Sequence, residues 1–131
     1  MTKLEILDET VKYYKTHKRG LSDEGFCVNI TNRGSMCAVG RCVDKELISK
    51  LKGLEDIAVG SLSLELGKDT TDECLQPQYR GHREEFWEDL QDLHDRGIHW
   101  SKNKSGGQVL TMQGDKAVEL IKSKIRDGLY E

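Results

Sequence analysis

Six of the twelve residues between positions 84 and 95 are carboxylates. On a helix, residues four apart, such as Glu84 and Glu88, lie on the same face. Paired carboxylates can work as general acid and base, but one member must then sit in a dry pocket that splits their pKa values. On an exposed helix both stay ionised, so the pattern favours a binding surface over acid–base catalysis.

Thiols are the second group that could do chemistry. Cys27, Cys37 and Cys42 lie within sixteen residues, and histidines such as His82 and His94 follow later. These residues could hold zinc or form a nucleophile–base pair, but the C-x2-C knuckle typical of zinc sites is absent. We therefore interpret the cysteines as small buried side chains and expect no metal or cofactor. A small metal- or thiol-dependent enzyme remains the alternative.

Two tryptophans lie in or near the acidic segment. Exposed tryptophan rimmed by charge is typical of interface hot spots. The same indoles could instead close the core between the third and last helices. On the first interpretation, the expected partner-binding residues are Glu84, Trp87, Glu88, Asp92, Asp95 and Trp100.

The net charge of −3 over 131 residues is unevenly distributed. Residues 65–95 carry ten acidic and three basic side chains, a balance of −7. That acidic block predicts a partner protein with a basic surface, while a pI of about 5.8 argues against nucleic acid as the main partner. No apolar run approaches the ~18 residues of a membrane span. The N-terminal residues do not resemble a signal peptide, so a cytoplasmic location is expected.

A DNA-binding regulator is a further alternative. The stretch from Trp100 to the Leu-Thr-x-x-Gly sequence at residues 110–114 is similar to the strand-then-helix entry of winged-helix proteins. A recognition helix should be basic and exposed at its N-terminal end. The last helix carries cations only as an ordinary solvated face, and the acidic segment has the opposite charge.

The spacing of apolar residues predicts four helices, and cap residues predict their limits. Four segments are expected to be helical: about 2–19, stopped by Gly20; 45–52, capped by Asp44; 82–96, ended by Gly97; and a last helix from Thr111 to Gly128. Thr2 and Glu5 form the capping box of the first helix. Leu93 and Ile98 are expected to pair in a Schellman motif around Gly97.

Strand signals are shorter. Residues 26–31 and 36–39 predict a β-hairpin, residues 61–66 alternate like a strand, and residues 67–81 predict a long loop. The expected fold is a helix-dominated α+β single domain over residues 1–131, with about four helices and one small hairpin. An unpaired hairpin edge could also join a second copy into a homodimer.

Three segments together resemble a known group of proteins: residues 36–42 (MCAVGRC), 79–82 (YRGH) and 86–95 (FWEDLQDLHD). The resemblance is to small, largely uncharacterised accessory proteins of tailed phages, with a C-x-x-G-R segment and an F-x-x-D-L-Q-x-L-H-D helix. It implies a phage-encoded protein acting in a bacterial cytoplasm. Such proteins are often inhibitors of host machinery, including anti-phage defence, so inhibition of a host protein is the expected function.

Overall fold

The computed structural model of this chain describes residues 1–21, 29–52, 54–55 and 57–131. Those residues contain five α-helices and one antiparallel pair of strands. The elements are α1 (Lys3–Tyr14), α2 (Lys45–Ile48), α3 (Leu62–Leu66), α4 (Glu84–Asp95), β1 (Trp100–Lys102), β2 (Gln108–Leu110) and α5 (Met112–Arg126). The predicted class, α+β with helices dominant, is confirmed.

The first helix begins as predicted and ends early. Thr2 and Glu5 form a reciprocal capping box, with hydrogen bonds of 3.1 and 3.3 Å. The helix ends at Tyr14 rather than near Arg19. Beyond the helix, the Lys15 carbonyl accepts hydrogen bonds from Asn103 and Ser105. Arg19 and Gly20 both hydrogen-bond to His94 on α4.

In the described residues the predicted hairpin is reduced to a single antiparallel bridge, and the strand ladder lies elsewhere. Residues 26–28 of its first strand lie outside the described residues, and the described remainder has one isolated antiparallel bridge, Ile30 with Met36. The ladder instead joins β1 to β2, with Ser101 opposite Val109. In the described part of the chain, the edge expected to pair with a second copy is therefore not a strand.

The segment predicted as a strand at residues 61–66 is helical. It forms the end of a 3₁₀ turn, Val59–Ser61, followed by α3. Leu62 and Leu66 are buried, whereas Leu64 is 82% exposed. Apolar residues at i, i+2 and i+4 include a pair at i and i+4, which lie on one face of a helix. Here that pair is Leu62 and Leu66, and both pack into the core.

Helix α4 does not end in a Schellman motif. Arg96 is extended, Gly97 begins a 3₁₀ turn, and Ile98 is 64% exposed instead of packing on Leu93. The side chains of His99 and Trp100 each donate a 2.9 Å hydrogen bond to the carbonyl oxygen of Leu93. Two side chains thus satisfy the Leu93 carbonyl, which in a Schellman motif would accept a backbone N–H.

The other predicted caps hold. Asp44 accepts a hydrogen bond from the Glu46 amide at the start of α2. Thr111 accepts one from Gly114 at the start of α5, and Gly128 is left-handed at φ 70° beyond its end.

One core cluster joins the described elements, from Ile6 on α1 to Tyr130 after α5. Phe86 and Trp87 are adjacent on α4, yet both are fully buried. Neighbours cover α4 on two sides: the ring of Phe86 lies 5.5 Å from Tyr130, and that of Trp87 lies 6.4 Å from Tyr79.

Candidate functional site

Helix α4 presents opposite chemistry on its two sides. Its buried side carries Phe86, Trp87, Leu90, Leu93 and His94. Four of its six carboxylates are exposed: Glu84, Glu85, Glu88 and Asp92. The helix is therefore anchored through its apolar side while these carboxylates face solvent, as the sequence predicts.

The exposed carboxylates are only partly neutralised. Glu85 pairs with Arg83 at 3.1 Å, and Asp92 pairs with Arg96 at 3.1 Å. Glu84 accepts a hydrogen bond from the Thr71 hydroxyl, and Glu88 has no ion-pair or hydrogen-bond partner within the described part of the chain. Exposed ion pairs are weak and are readily exchanged for a partner's cations.

The remaining two acids of α4 are engaged inside the molecule. Asp89 accepts hydrogen bonds from Lys124 at 2.8 Å and from the Tyr130 hydroxyl at 2.5 Å. Burial and the bond to Asp89 raise the pKa of Tyr130. Asp95 accepts from Gln91 at 2.5 Å and from the imidazole of His94 at 2.7 Å. Asp95, predicted as a partner-binding residue, therefore has a structural role.

The acidic region continues beyond α4. The Thr71 hydroxyl donates to Glu84 at 3.0 Å, and the Gly81 amide donates to Asp72 at 3.0 Å. These bonds hold the 3₁₀ turn Asp72–Cys74 against the start of α4. We call the exposed carboxylates of both segments the acidic surface: Asp69, Glu73, Glu84, Glu85, Glu88 and Asp92.

The prediction that tryptophans anchor a partner from the surface is wrong. Trp87 is 0% exposed and Trp100 is 6% exposed. The Trp100 indole donates its N–H to the Leu93 carbonyl, and its ring lies 5.6 Å from that of Tyr14. Both indoles close the core, which leaves Leu64 on α3 as the most exposed large apolar side chain among the described residues.

The described cysteines are poor nucleophiles. Cys37, Cys42 and Cys74 are buried free thiols. Burial raises the pKa of Cys37 to about 12 and the pKa of Cys42 to about 12. A thiol needs its thiolate form to attack or to bind metal, so neither residue is activated at neutral pH.

His94 does not supply a base to these thiols. The Gly20 amide donates to its Nε2 at 3.0 Å, so the ring proton lies on Nδ1, which faces Asp95 at 2.7 Å. Burial lowers the pKa of His94, although Asp95 opposes the shift. Both ring nitrogens are occupied, and the imidazole has no free lone pair to accept a proton from a substrate.

Within the described ranges no group of three or more His, Cys, Asp or Glu side chains is placed to hold a metal ion. Cys27, one of the three candidate ligands from the sequence, lies outside those ranges. Cys37 instead accepts hydrogen bonds through its sulfur from the Gly40 amide and the Asn29 side chain.

A polar cluster that the sequence does not predict lies under α1. Arg41 forms an ion pair with Glu9, donates to the Thr10 hydroxyl at 2.8 Å, and lies over the rings of Tyr13 and Tyr79. Burial tends to raise the pKa of Glu9, but hydrogen bonds from Tyr79 and Arg41 outweigh it and lower that pKa. The guanidinium carbon lies 5.4 Å from the Tyr13 ring centre and 5.7 Å from the Tyr79 ring centre, so Arg41 links α1 to the segment that contains Tyr79.

A shallow groove of about 280 Å³ opens between the start of α1 and the end of α5. Leu4, Ile125 and Tyr130 supply its apolar lining. Small-molecule sites usually enclose about 300–1,000 Å³ and bury most of the ligand. The groove lies at the lower edge of that range and is open to solvent, so this part of the fold offers a surface rather than an enclosed site.

Comparison with family models, with curated proteins and with solved structures finds no match to this chain. No helix in the described ranges has both the length and the apolar character that crossing a bilayer requires.

Proposed function

We propose that this chain is a non-enzymatic binding protein whose acidic surface docks on a basic surface of a partner protein. The observation that carries the proposal is the orientation of α4, with its apolar side fully buried and Glu84, Glu88 and Asp92 exposed together. The solvent-exposed face of a helix usually carries both acidic and basic side chains. Helix α4 contains no lysine or arginine.

An apolar contact for the same partner is available at Leu64. Its side chain is 82% exposed, and α3 packs against the 3₁₀ turn that adjoins the acidic surface. Interfaces combine a desolvated apolar centre with a polar rim. Leu64 takes the role that the sequence assigned to the tryptophans.

The resemblance to phage accessory proteins supports a narrower proposal. The partner is then a host protein in the bacterial cytoplasm, one that acts in anti-phage defence, and docking inhibits it. A basic surface on such a protein commonly serves nucleic acid or another acidic ligand. Occupying that surface would block the ligand by direct competition.

The two alternatives have less support. A thiol enzyme centred on Cys37 or Cys42 would need thiolates that burial disfavours. A DNA-binding α5 would need several free cations together, but Lys124 pairs with Asp89 and Lys122 pairs with Glu119. Within the described part of the chain, that leaves only Lys116 and Arg126, at opposite ends of the helix, without an ion pair.

The test compares three baits in a bacterial lysate: the wild type, the triple variant Glu84→Gln/Glu88→Gln/Asp92→Asn, and a control. The control, Asp8→Asn/Glu46→Gln/Glu119→Gln, removes the same charge from other exposed positions. We expect a protein that the wild type and the control capture and the triple variant loses. The purified partner should then bind more weakly as salt rises, because exposed charges are screened over about 8–10 Å.

Leu64→Ala gives an independent arm, since it removes apolar contact and no charge. We expect it to shorten the lifetime of the complex while the association rate changes little. Equal capture by all baits would refute the acidic surface. Capture without loss of the partner's activity would refute inhibition while leaving the binding proposal intact.

A further inference from the structure

Two segments of this chain contain cations and no acids. Residues 11–21 carry four Lys or Arg residues, residues 96–114 carry three, and neither contains Asp or Glu. The whole chain has 23 acidic side chains and a net charge of −3. The thirty residues of these two segments differ from it because they contain no acidic side chain. The total charge therefore hides a positive region.

The tertiary structure brings the two segments together. The turn between β1 and β2 lies on the main chain just after α1: Asn103 and Ser105 donate side-chain hydrogen bonds of 2.8 and 3.0 Å to the carbonyl oxygen of Lys15. Gly107 fits so closely that a Cβ there would lie 2.2 Å from the same oxygen. The hairpin tip and the end of α1 are held in one fixed arrangement.

The contact gathers exposed lysines from both segments. We call this group the lysine surface: Lys12, Lys15, Lys18, Lys102 and Lys104. Among the described residues, none of the five forms an ion pair, whereas Lys122 and Lys124 on α5 both do. Because their ammonium groups are exposed and form no ion pair in the described part of the chain, they are available to an anion bound near the hairpin tip.

The lysine surface and the acidic surface share no residue. The segment that follows α1 reaches the C-terminal end of α4, where Arg19 donates to the His94 carbonyl. The turn at Thr71 reaches the opposite, N-terminal end. The acidic surface runs from that turn along α4 to Asp92, where it approaches the segment that follows α1. The two surfaces are therefore built from different residues, and variants can change one without changing the other.

The composition of the lysine surface fits phosphate rather than protein. Protein interfaces are depleted in lysine and enriched in aromatic residues. Phosphate contacts come mainly from Lys and Arg. Asn103 and Ser105 already donate to the Lys15 carbonyl, so they position the lysines, which supply the contacts themselves. Tyr13 offers no open ring for a single-stranded base, because His17 stacks on it at 3.9 Å.

We propose that the lysine surface binds the phosphate backbone of duplex nucleic acid without reading its sequence. This site uses none of the residues of the acidic surface and needs no protein partner. A chain with both surfaces can hold a protein partner close to the nucleic acid on which that partner acts. The first fact to establish is direct binding of the purified chain to a duplex.

The experiment is a fluorescence-anisotropy titration of a labelled 20-base-pair duplex of mixed sequence between 30 and 200 mM NaCl. Non-specific duplex binding has a Kd of about 10⁻⁴–10⁻⁶ M at physiological salt, with a slope of log affinity against log salt of about −0.9 for each phosphate neutralised. We expect a wild-type slope between about −3 and −4.5 if three to five lysines take part.

Two triple variants with the same charge change separate the surface from net charge. Lys15→Gln/Lys102→Gln/Lys104→Gln should weaken binding at least tenfold and reduce the size of the slope by about 2–3. Lys45→Gln/Lys50→Gln/Lys68→Gln removes exposed lysines elsewhere and should leave the affinity within about twofold of wild type. Circular dichroism and thermal melts establish that each variant is folded.

A third variant tests the geometry without altering charge. Gly107→Val keeps every lysine but displaces the hairpin tip from Lys15, so duplex binding should fall severalfold if the arrangement matters. Should this variant fail to fold, the two lysine triples still decide the matter. No duplex binding at 30 mM NaCl, or equal losses in the two triples, would overturn the proposal.

The probe itself can also overturn the assignment. Labelled poly-L-glutamate of matched charge should bind more weakly than the duplex, and so should a single strand of the same length. Tighter binding of the polypeptide would assign the lysine surface to an acidic protein. Tighter binding of the single strand would contradict recognition of the duplex backbone.

Discussion

The backbone amide of Gly20 donates a 3.0 Å hydrogen bond to Nε2 of His94, a histidine with no exposed surface. The neighbouring Arg19 donates to the carbonyl oxygen of the same histidine at 2.7 Å. Two consecutive residues after α1 are thereby fastened to the end of α4. A proton added to Nε2 would place two N–H groups face to face, so this attachment requires the neutral imidazole.

Stability should therefore fall as the solution becomes mildly acidic. His94 has a lowered pKa in the fold, chiefly because it is buried, and an ordinary value of 6.5 when unfolded. The unfolded chain then binds the proton more readily. The stabilising contribution is present above pH 6.5 and is lost as the pH falls toward the folded pKa, by up to about 1.4 kcal/mol per pH unit.

The contribution of His94 to the pH dependence of stability can be separated from that of other groups by substitution. Asp95 and Arg19 oppose each other electrostatically, with Asp95 raising and Arg19 lowering the pKa of His94, and the Tyr14 ring packs 5.3 Å away. His94→Gln should flatten the slope of urea-unfolding free energy between pH 6.5 and 5, whereas the exposed His17→Gln should keep it. An unchanged slope in His94→Gln would assign the pH dependence to other groups.

Replacement of Trp87 should damage the fold rather than a binding surface. The side chain is fully buried, and deletion of a buried tryptophan to alanine usually costs about 3–5 kcal/mol. Leu64→Ala, at a side chain 82% exposed, should change stability by less than about 0.5 kcal/mol. Chemical denaturation measures both. A well-folded Trp87→Ala protein of near wild-type stability would contradict the position of this indole.

Gly40 should not tolerate a side chain. A Cβ at this position would lie 2.1 Å from the carbonyl oxygen of Asn29, a backbone atom that cannot move away cheaply. Gly40→Ala should destabilise the protein by about 1–3 kcal/mol through overpacking. At Gly60 the nearest atom would be a Glu84 carboxylate oxygen at 3.6 Å, an ordinary contact. Gly60→Ala is the matched control, and equal thermal shifts in the two variants would count against the close approach.

The described thiols should resist alkylation in the folded protein. Cys37, Cys42 and Cys74 are buried, and burial raises the pKa of all three. At neutral pH a thiol with a pKa near 12 is ionised in about one molecule in 10⁵. Peptide mass spectrometry after iodoacetamide treatment should find these residues modified in urea and largely unmodified without it. Rapid native labelling of Cys37 or Cys42 would revive the thiol-enzyme hypothesis.

Local signals explain which parts of the fold could be predicted. The capping box at Thr2, the caps at Asp44 and Thr111, and the left-handed Gly128 all depend on a few neighbouring residues. The same holds for α4, whose apolar stripe repeats at helical spacing. These features need no distant partner, so they appear in the sequence directly.

The errors occur where distant residues compete with local preference. Helix α1 ends early, and the residues beyond it bond to distant partners: Lys15 to Asn103, and Arg19 and Gly20 to His94. Residues 61–66 fit a strand or a helix equally, and the buried pair Leu62 and Leu66 decides for the helix. The true hairpin could have been suspected from Asn103 and the glycines at 106 and 107, which supply turn chemistry between two apolar stretches.

The candidate sites divide in the same way. The sequence alone determined that residues 84–95 form an amphipathic helix with a negative solvent face, because helical periodicity and charge are local properties. Only the tertiary structure decided that Trp87 and Trp100 belong to the core and that Asp95 accepts a hydrogen bond from His94. It also decided that two remote lysine-containing segments meet at Lys15. Burial and juxtaposition depend on which surfaces pack together, and no short stretch of sequence carries that information.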